Sequence, residues 1–135
     1  MNIAIISPSE AAYSETFIHA HISLLKGNKK LLFNGYLPVE SDDGVLKIRY
    51  SIFNRLMRRL FVLLKFKKFD FHRNSILNYL RRNDIDVVLA EYGLTGAEMA
   101  NICAKANIPL VVHFHGFDAY KTEVLLRYEK LYKQM

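Results

Sequence analysis

Six consecutive residues, His113-Phe114-His115-Gly116-Phe117-Asp118, carry two imidazoles, a glycine and a carboxylate. Imidazole takes up, releases or shuttles a proton near neutral pH and also ligates metals. In an extended strand His113 and His115 point the same way. Two chemistries fit this spacing. His115, beside a glycine and an aspartate, could bond or move a proton on a substrate hydroxyl. Alternatively, a His-x-His pair at a strand end could hold a metal, but that needs further histidines and carboxylates. After Asp118 the chain offers only Glu123 and Glu129 as acids, so no resident metal is expected. A second cluster, Glu91-Tyr92-Gly93-Leu94-Thr95-Gly96, follows an apolar run. Glu91 either enters a crevice or accepts N–H bonds from a helix opening near Thr95. Glu10 and Glu15 carry the same ambiguity. The lone cysteine, Cys103, excludes a disulfide framework and a four-cysteine zinc site, and reads as a core thiol.

These clusters need elements to hold them. The chain has 135 residues, 51% apolar and 24% charged, the profile of one folded domain. Apolar runs predict strands at 2–7, 31–34, 45–49, 86–90 and 109–114. Between them, apolar spacing predicts helices over 15–26, 52–64 and 74–82, one opening on a Thr95-x-x-Glu98 capping box, and one from Tyr120 still running at Met135. Ser14 is the expected cap of the first helix, with Gly27 as its stop. Strands alternating with helices predict an α/β fold, a Rossmann-like parallel sheet with helices on both faces. Ligands of such sheets bind beyond the carboxyl ends of the strands. The loops after the first, fourth and fifth strands would then share one crevice, with the 2–7 strand beside the 86–90 strand. Gly93, Gly96 and Gly116 sit in the last two of those loops, where positive φ or close backbone approach is useful. The first loop, 7–16, has no G-x-G-x-x-G, so no dinucleotide is indicated.

Charge is concentrated. The chain carries +6, yet residues 47–73 hold nine basic side chains against Asp70 alone, a net of +8, and the remainder carries −2. On a helix over 52–64, Ile52, Phe53, Leu56, Met57, Leu60, Leu63 and Leu64 fall within about 140°. Arg55, Arg58, Arg59 and Lys65 lie opposite, and Phe61 and Phe66 interrupt the pattern with apolar groups. Such a helix either covers a sheet with its arginines solvated or docks on an anionic membrane surface. Nucleic acid is not expected, because aromatic RNA-binding signatures and a helix-turn-helix are absent. The N-terminus lacks a basic region and a long apolar run, so no signal peptide is read. No stretch approaches the ~20 apolar residues of a membrane span. The expected setting is the cytoplasm, with peripheral attachment to the membrane's inner face.

The strings Ile6-Ser7-Pro8-Ser9-Glu10, Tyr13-Ser14-Glu15-Thr16-Phe17-Ile18, Ala90-Glu91-Tyr92-Gly93-Leu94-Thr95-Gly96 and Val112-His113-Phe114-His115-Gly116-Phe117-Asp118-Ala119 look like the N-terminal half of a family 4 glycosyltransferase. That resemblance implies the acceptor-side domain of a GT-B fold, two Rossmann-like domains facing across a cleft. It implies transfer of a sugar from a nucleotide-sugar donor to a glycan or lipid-linked acceptor with retention, without a cofactor. By resemblance His115 sits near the transferred sugar, and Ser14, Glu15 and Thr16 lie where the first loop meets donor phosphates and acceptor. Thr95, Gly96 and Gly116 belong to the substrate-binding loops, and Glu91 and Asp118 are acceptor-side or loop-ordering carboxylates. The donor-binding domain lies outside these 135 residues, and the chain reads as a fragment that is inactive alone. Two other classes stay open. One is a non-catalytic, flavodoxin-like binding or partner module, and the other is a metal-dependent hydrolase fragment using His113 and His115.

Overall fold

The computed structural model describes residues 1–10, 16–46, 70–133 and 135. Ser14 and Glu15, the predicted 52–64 helix, and Arg55, Arg58, Arg59, Phe61, Lys65 and Phe66 lie outside the described residues. In chain order the elements are β1 (Asn2–Ile6), α1 (Thr16–Leu24), β2 (Asn28–Phe33), β3 (Glu40–Ser41), β4 (Gly44–Val45), α2 (Phe71–Arg82), β5 (Val87–Glu91), α3 (Gly93–Ala106), β6 (Leu110–His113), α4 (Gly116–Tyr120) and α5 (Thr122–Tyr132). The strands form a six-stranded sheet in the order β4-β3-β2-β1-β5-β6. β2, β1, β5 and β6 run parallel, while β3 and β4 form an antiparallel hairpin on the β2 edge. The chain is thus an α/β protein with a mainly parallel sheet.

β1 is the centre because its side chains are apolar on both faces, which only a strand covered twice can bury well. Ile3 and Ile5 pack with Leu89 on one face, joined by the partly buried Ile22 of α1. Ala4 and Ile6 point to the other face and meet Leu32, Val88, Ile76, Leu80, Met99 and Ile102. α2 and α3 therefore cover one face and α1 the other. Each presents an apolar stripe at helical spacing: Ile76, Tyr79 and Leu80 in α2, and Met99, Ile102 and Cys103 in α3. Asp70 caps α2, its Oδ1 accepting from the backbone N–H of His72 (3.1 Å) and Arg73 (3.2 Å).

As expected, β1 pairs with β5, Ile5 opposite Leu89 and Ile6 opposite Ala90. Other expectations need correction. Of the predicted 45–49 strand, Val45 lies in the two-residue β4, Leu46 is outside any strand, and 47–49 lie outside the described residues; β4 pairs with the short β3, and Asp42 and Asp43 form the turn between them. β2 starts at Asn28 rather than 31, since Ala4 pairs with Lys30 whatever the lysine's polarity. The capping box does not form. α3 already starts at Gly93, which puts Thr95 inside its first turn, and Glu98 turns to the Arg73 guanidinium. The final helix is two, α4 and α5, and α5 ends at Tyr132.

Candidate functional site

β1, β5 and β6 end side by side at Ile6, Glu91 and His113, and Glu91 stands in register with His113. Alternation along β5 sends Val88 and Ala90 to the α2–α3 face and Val87, Leu89 and Glu91 to the α1 face. The Glu91 carboxylate is therefore delivered, fully buried, beneath α1. Three imidazoles surround it. His21 Nδ1 stands 2.6 Å from Oε1, His113 Nδ1 3.1 Å from Oε2, and His115 Nε2 3.3 Å from Oε2. Burial of a carboxylate is costly unless it is hydrogen-bonded and its charge is matched. Of the two readings of Glu91, the structure favours entry into the crevice: its hydrogen-bond partners are these side chains rather than backbone N–H groups of α3.

Aromatic rings close the cluster. Phe17 lies 4.2 Å from the His115 ring and edge-on to His113 at 5.9 Å. Tyr92 covers His115 at 4.2 Å. The His113 and His115 centroids are 4.3 Å apart, and His21 meets His113 edge-on at 5.0 Å. His115 is held most closely, with 12% of its side chain exposed, against 31% for His21 and 39% for His113. A carboxylate bonded to an imidazole fixes the ring's orientation and tautomer and stabilises its cationic form. The arrangement can hold one imidazole ready to exchange a proton or a hydrogen bond with a hydroxyl in the crevice.

The turn after Glu91 is strained and braced. Tyr92 adopts φ 79° and ψ 142°, a region costly for any residue but glycine, and its N–H donates to the His113 carbonyl at 2.9 Å. The bend aims the Gly93 N–H at Asp118 Oδ2, 2.8 Å away. Asp118 is thus the carboxylate that accepts a backbone N–H from the start of α3, across the β5–α3 and α4 segments. It is fully buried, and its Oδ1, Thr95 Oγ1 and the Tyr132 hydroxyl have no hydrogen-bond partner among the described residues. Burial, then the nearby Asp118 charge, push the Tyr132 phenol up to about 12.

The remaining predicted residues are placed as follows. Thr16 opens α1 and is exposed, next to Phe17. Gly96 is buried against β6: a Cβ there would meet Val112 Cγ2 at 2.6 Å. Gly116 begins α4, where a Cβ would have nothing within 4 Å. The expectation that its loop requires glycine is therefore corrected, because the segment is helical rather than a tight turn. Sequence reasoning passed over His21, Phe17 and Tyr92. A signal existed for two of them, since Phe17 and His21 are four residues apart and so share one face of α1. On the opposite face, a cleft of about 340 Å³ lies between α3 and the end of α5, lined by Ala97, Ala100, Cys103, Leu110 and Leu131. Among the described lining residues Cys103 has the titratable side chain; it is packed into the core, and burial pushes its thiol up to about 12. That cleft shares no lining residue with the imidazole cluster. Compared with protein-family models, with curated proteins and with solved structures, the chain gives no match.

Proposed function

We propose that the chain is the acceptor-side part of a GT-B glycosyltransferase, a Rossmann-like domain that takes a glycan or lipid-linked hydroxyl to a nucleotide-sugar donor. The observation that carries the reading is His115: a shielded imidazole, hydrogen-bonded through Nε2 to the buried Glu91, at the carboxyl edge of a parallel sheet. That edge is where α/β sheets place ligands. The strings at 6–18, 90–96 and 112–119 supply the family, and the cluster supplies a group suited to a sugar hydroxyl. Positioned imidazoles contribute about 100-fold or more to such reactions. In this reading Glu91 orients His115, and Asp118 holds the β5–α3 turn. Thr16, with Ser14 and Glu15, lies where the first loop meets donor phosphates and acceptor, and Thr95, Gly96 and Gly116 belong to the substrate-binding segments. The donor's nucleotide is held by a second domain, and the basic window at 47–73 brings the protein to an anionic membrane on the cytoplasmic side.

The test is sugar transfer by the gene product as its host makes it, wild type beside His115→Ala. Loss of about 100-fold or more in kcat with the melting temperature held supports the reading. Intact kinetics with a lowered melting temperature assigns His115 to packing. Absence of nucleotide-sugar turnover by the wild type overturns the transferase class.

A further inference from the structure

We propose that His21, Glu91 and His113 bind one divalent transition-metal ion of the Zn2+ class. This proposal does not depend on the sugar-transfer reading. Three donor atoms from three elements, α1, β5 and β6, converge so that all lie within 4.8 Å of one another. Both imidazoles turn the same atom, Nδ1, toward the carboxylate. Donors about 2.1 Å from a common metal stand about 3.0–3.4 Å apart. His113 Nδ1, 3.1 Å from Oε2, already has that separation. His21 Nδ1, 2.6 Å from Oε1, must retract by about half an ångström. Its side chain is about one-third exposed and can do so.

Charge argues the same way. Glu91 is fully buried, and its recorded charge partners among the described residues are imidazoles, which carry charge only when protonated. A divalent cation supplies that charge without a proton. Two nitrogen donors and one carboxylate select against Ca2+ and Mg2+, which prefer oxygen, and in favour of Zn2+, Co2+ or Ni2+. His115 Nε2, on the carboxylate's Oε2, orients the ligand from behind. His21 and His113 are each about one-third exposed, so water or a ligand could reach an ion held between them.

The experiment uses the 135-residue chain. Titration with Co2+ should give one equivalent of visible-absorbing, nitrogen-ligated ion, displaced by Zn2+. Glu91→Gln should weaken Zn2+ binding about 100-fold or more, beyond the 10–100-fold typical of outer-shell changes. His19→Ala, which alters an exposed histidine two residues from His21 on α1, should not change it. Should Glu91→Gln fail to fold, two-bond proton–nitrogen spectra of the unaltered chain decide. Zn2+ should shift the Nδ1 of His21 and His113 and leave His19 and His72 in place. At Zn2+ a hundredfold above Kd, the folded-to-unfolded ratio should rise about 100-fold, reversed by EDTA. Binding that Glu91→Gln leaves intact, shifts confined to His19, or no stoichiometric uptake overturns the site.

Discussion

Glu91 shows how one residue acquires its role from burial. At the end of β5, with neither lysine nor arginine among its partners in the described residues, it is held by three rings that bring polar nitrogens to its two oxygens. Each ring is in turn fixed by the carboxylate, so the cluster is cooperative and poorly described residue by residue. Cys103 is the opposite case, a thiol whose shift comes from burial alone. Burial raises its thiol from 9.0 to about 12. A raised folded value stabilises the fold fully below the unfolded pKa and loses that contribution as pH climbs through the folded one. Stability should therefore fall between about pH 9 and pH 12, by at most about 1.4 kcal/mol per pH unit from this group. Labelling of Cys103 by a thiol reagent at pH 8 should follow the rate of unfolding. Fast labelling of the folded chain would show that the thiol reaches solvent directly.

Among the elements, α3 is the one whose placement decides the site. It starts immediately after Glu91, and its first turn must lie close against β6. Gly96 permits that approach, because a Cβ there would overlap Val112 Cγ2 at 2.6 Å and Cγ1 at 2.7 Å. Alanine gains about 1 kcal/mol of helix propensity over glycine. Overpacking against a stiff β-branched side chain costs about 1–3 kcal/mol, so the overlap outweighs the gain. Gly96→Ala should lower stability by up to about 2 kcal/mol in urea unfolding. An unchanged or raised midpoint would mean that α3 can slide on the sheet. Movement of α3 would also disturb the Gly93–Asp118 bond, and through it the turn that carries Tyr92 over His115.

For the molecule as a whole, the uneven charge has a physical consequence. Among the described residues no helix is long and apolar enough to cross a membrane. On the proposed reading, the +8 carried by residues 47–73 is what draws the protein to an anionic surface. Each lysine or arginine near such a surface contributes about 1 kcal/mol, and the attraction decays within about 8 Å at physiological salt. The protein should sediment with anionic but not zwitterionic vesicles, salt should release it, and Arg55, Arg58 and Arg59 changed together to Glu should abolish binding. Equal binding to both vesicle types, or none at low salt, would leave the window as a solvated face.

Local pattern was enough to reveal the parallel strands and most of the helices. Asn2–Ile6 and Val87–Glu91 are apolar runs that hydrophobic burial drives to the middle of a sheet, and their adjacency follows from alternation with helices. The pairing of His113 with His115, and the placing of Glu91 in the same crevice, also follow from period-two geometry and strand ends. Other features were outside its reach. The Thr95-x-x-Glu98 pattern satisfies a capping rule, yet Tyr92 takes the cap position because Asp118, far along the chain, draws the Gly93 N–H. The β3–β4 hairpin is too short for periodicity to register. His21 and Glu91 are 70 residues apart, and their contact exists because β1 lies against β5 while α1 packs on the face to which Glu91 points. Strand and helix preferences are written in neighbouring residues. Which nitrogen meets which oxygen is set by sheet order and by the face each element covers, and only the assembled tertiary structure decides that.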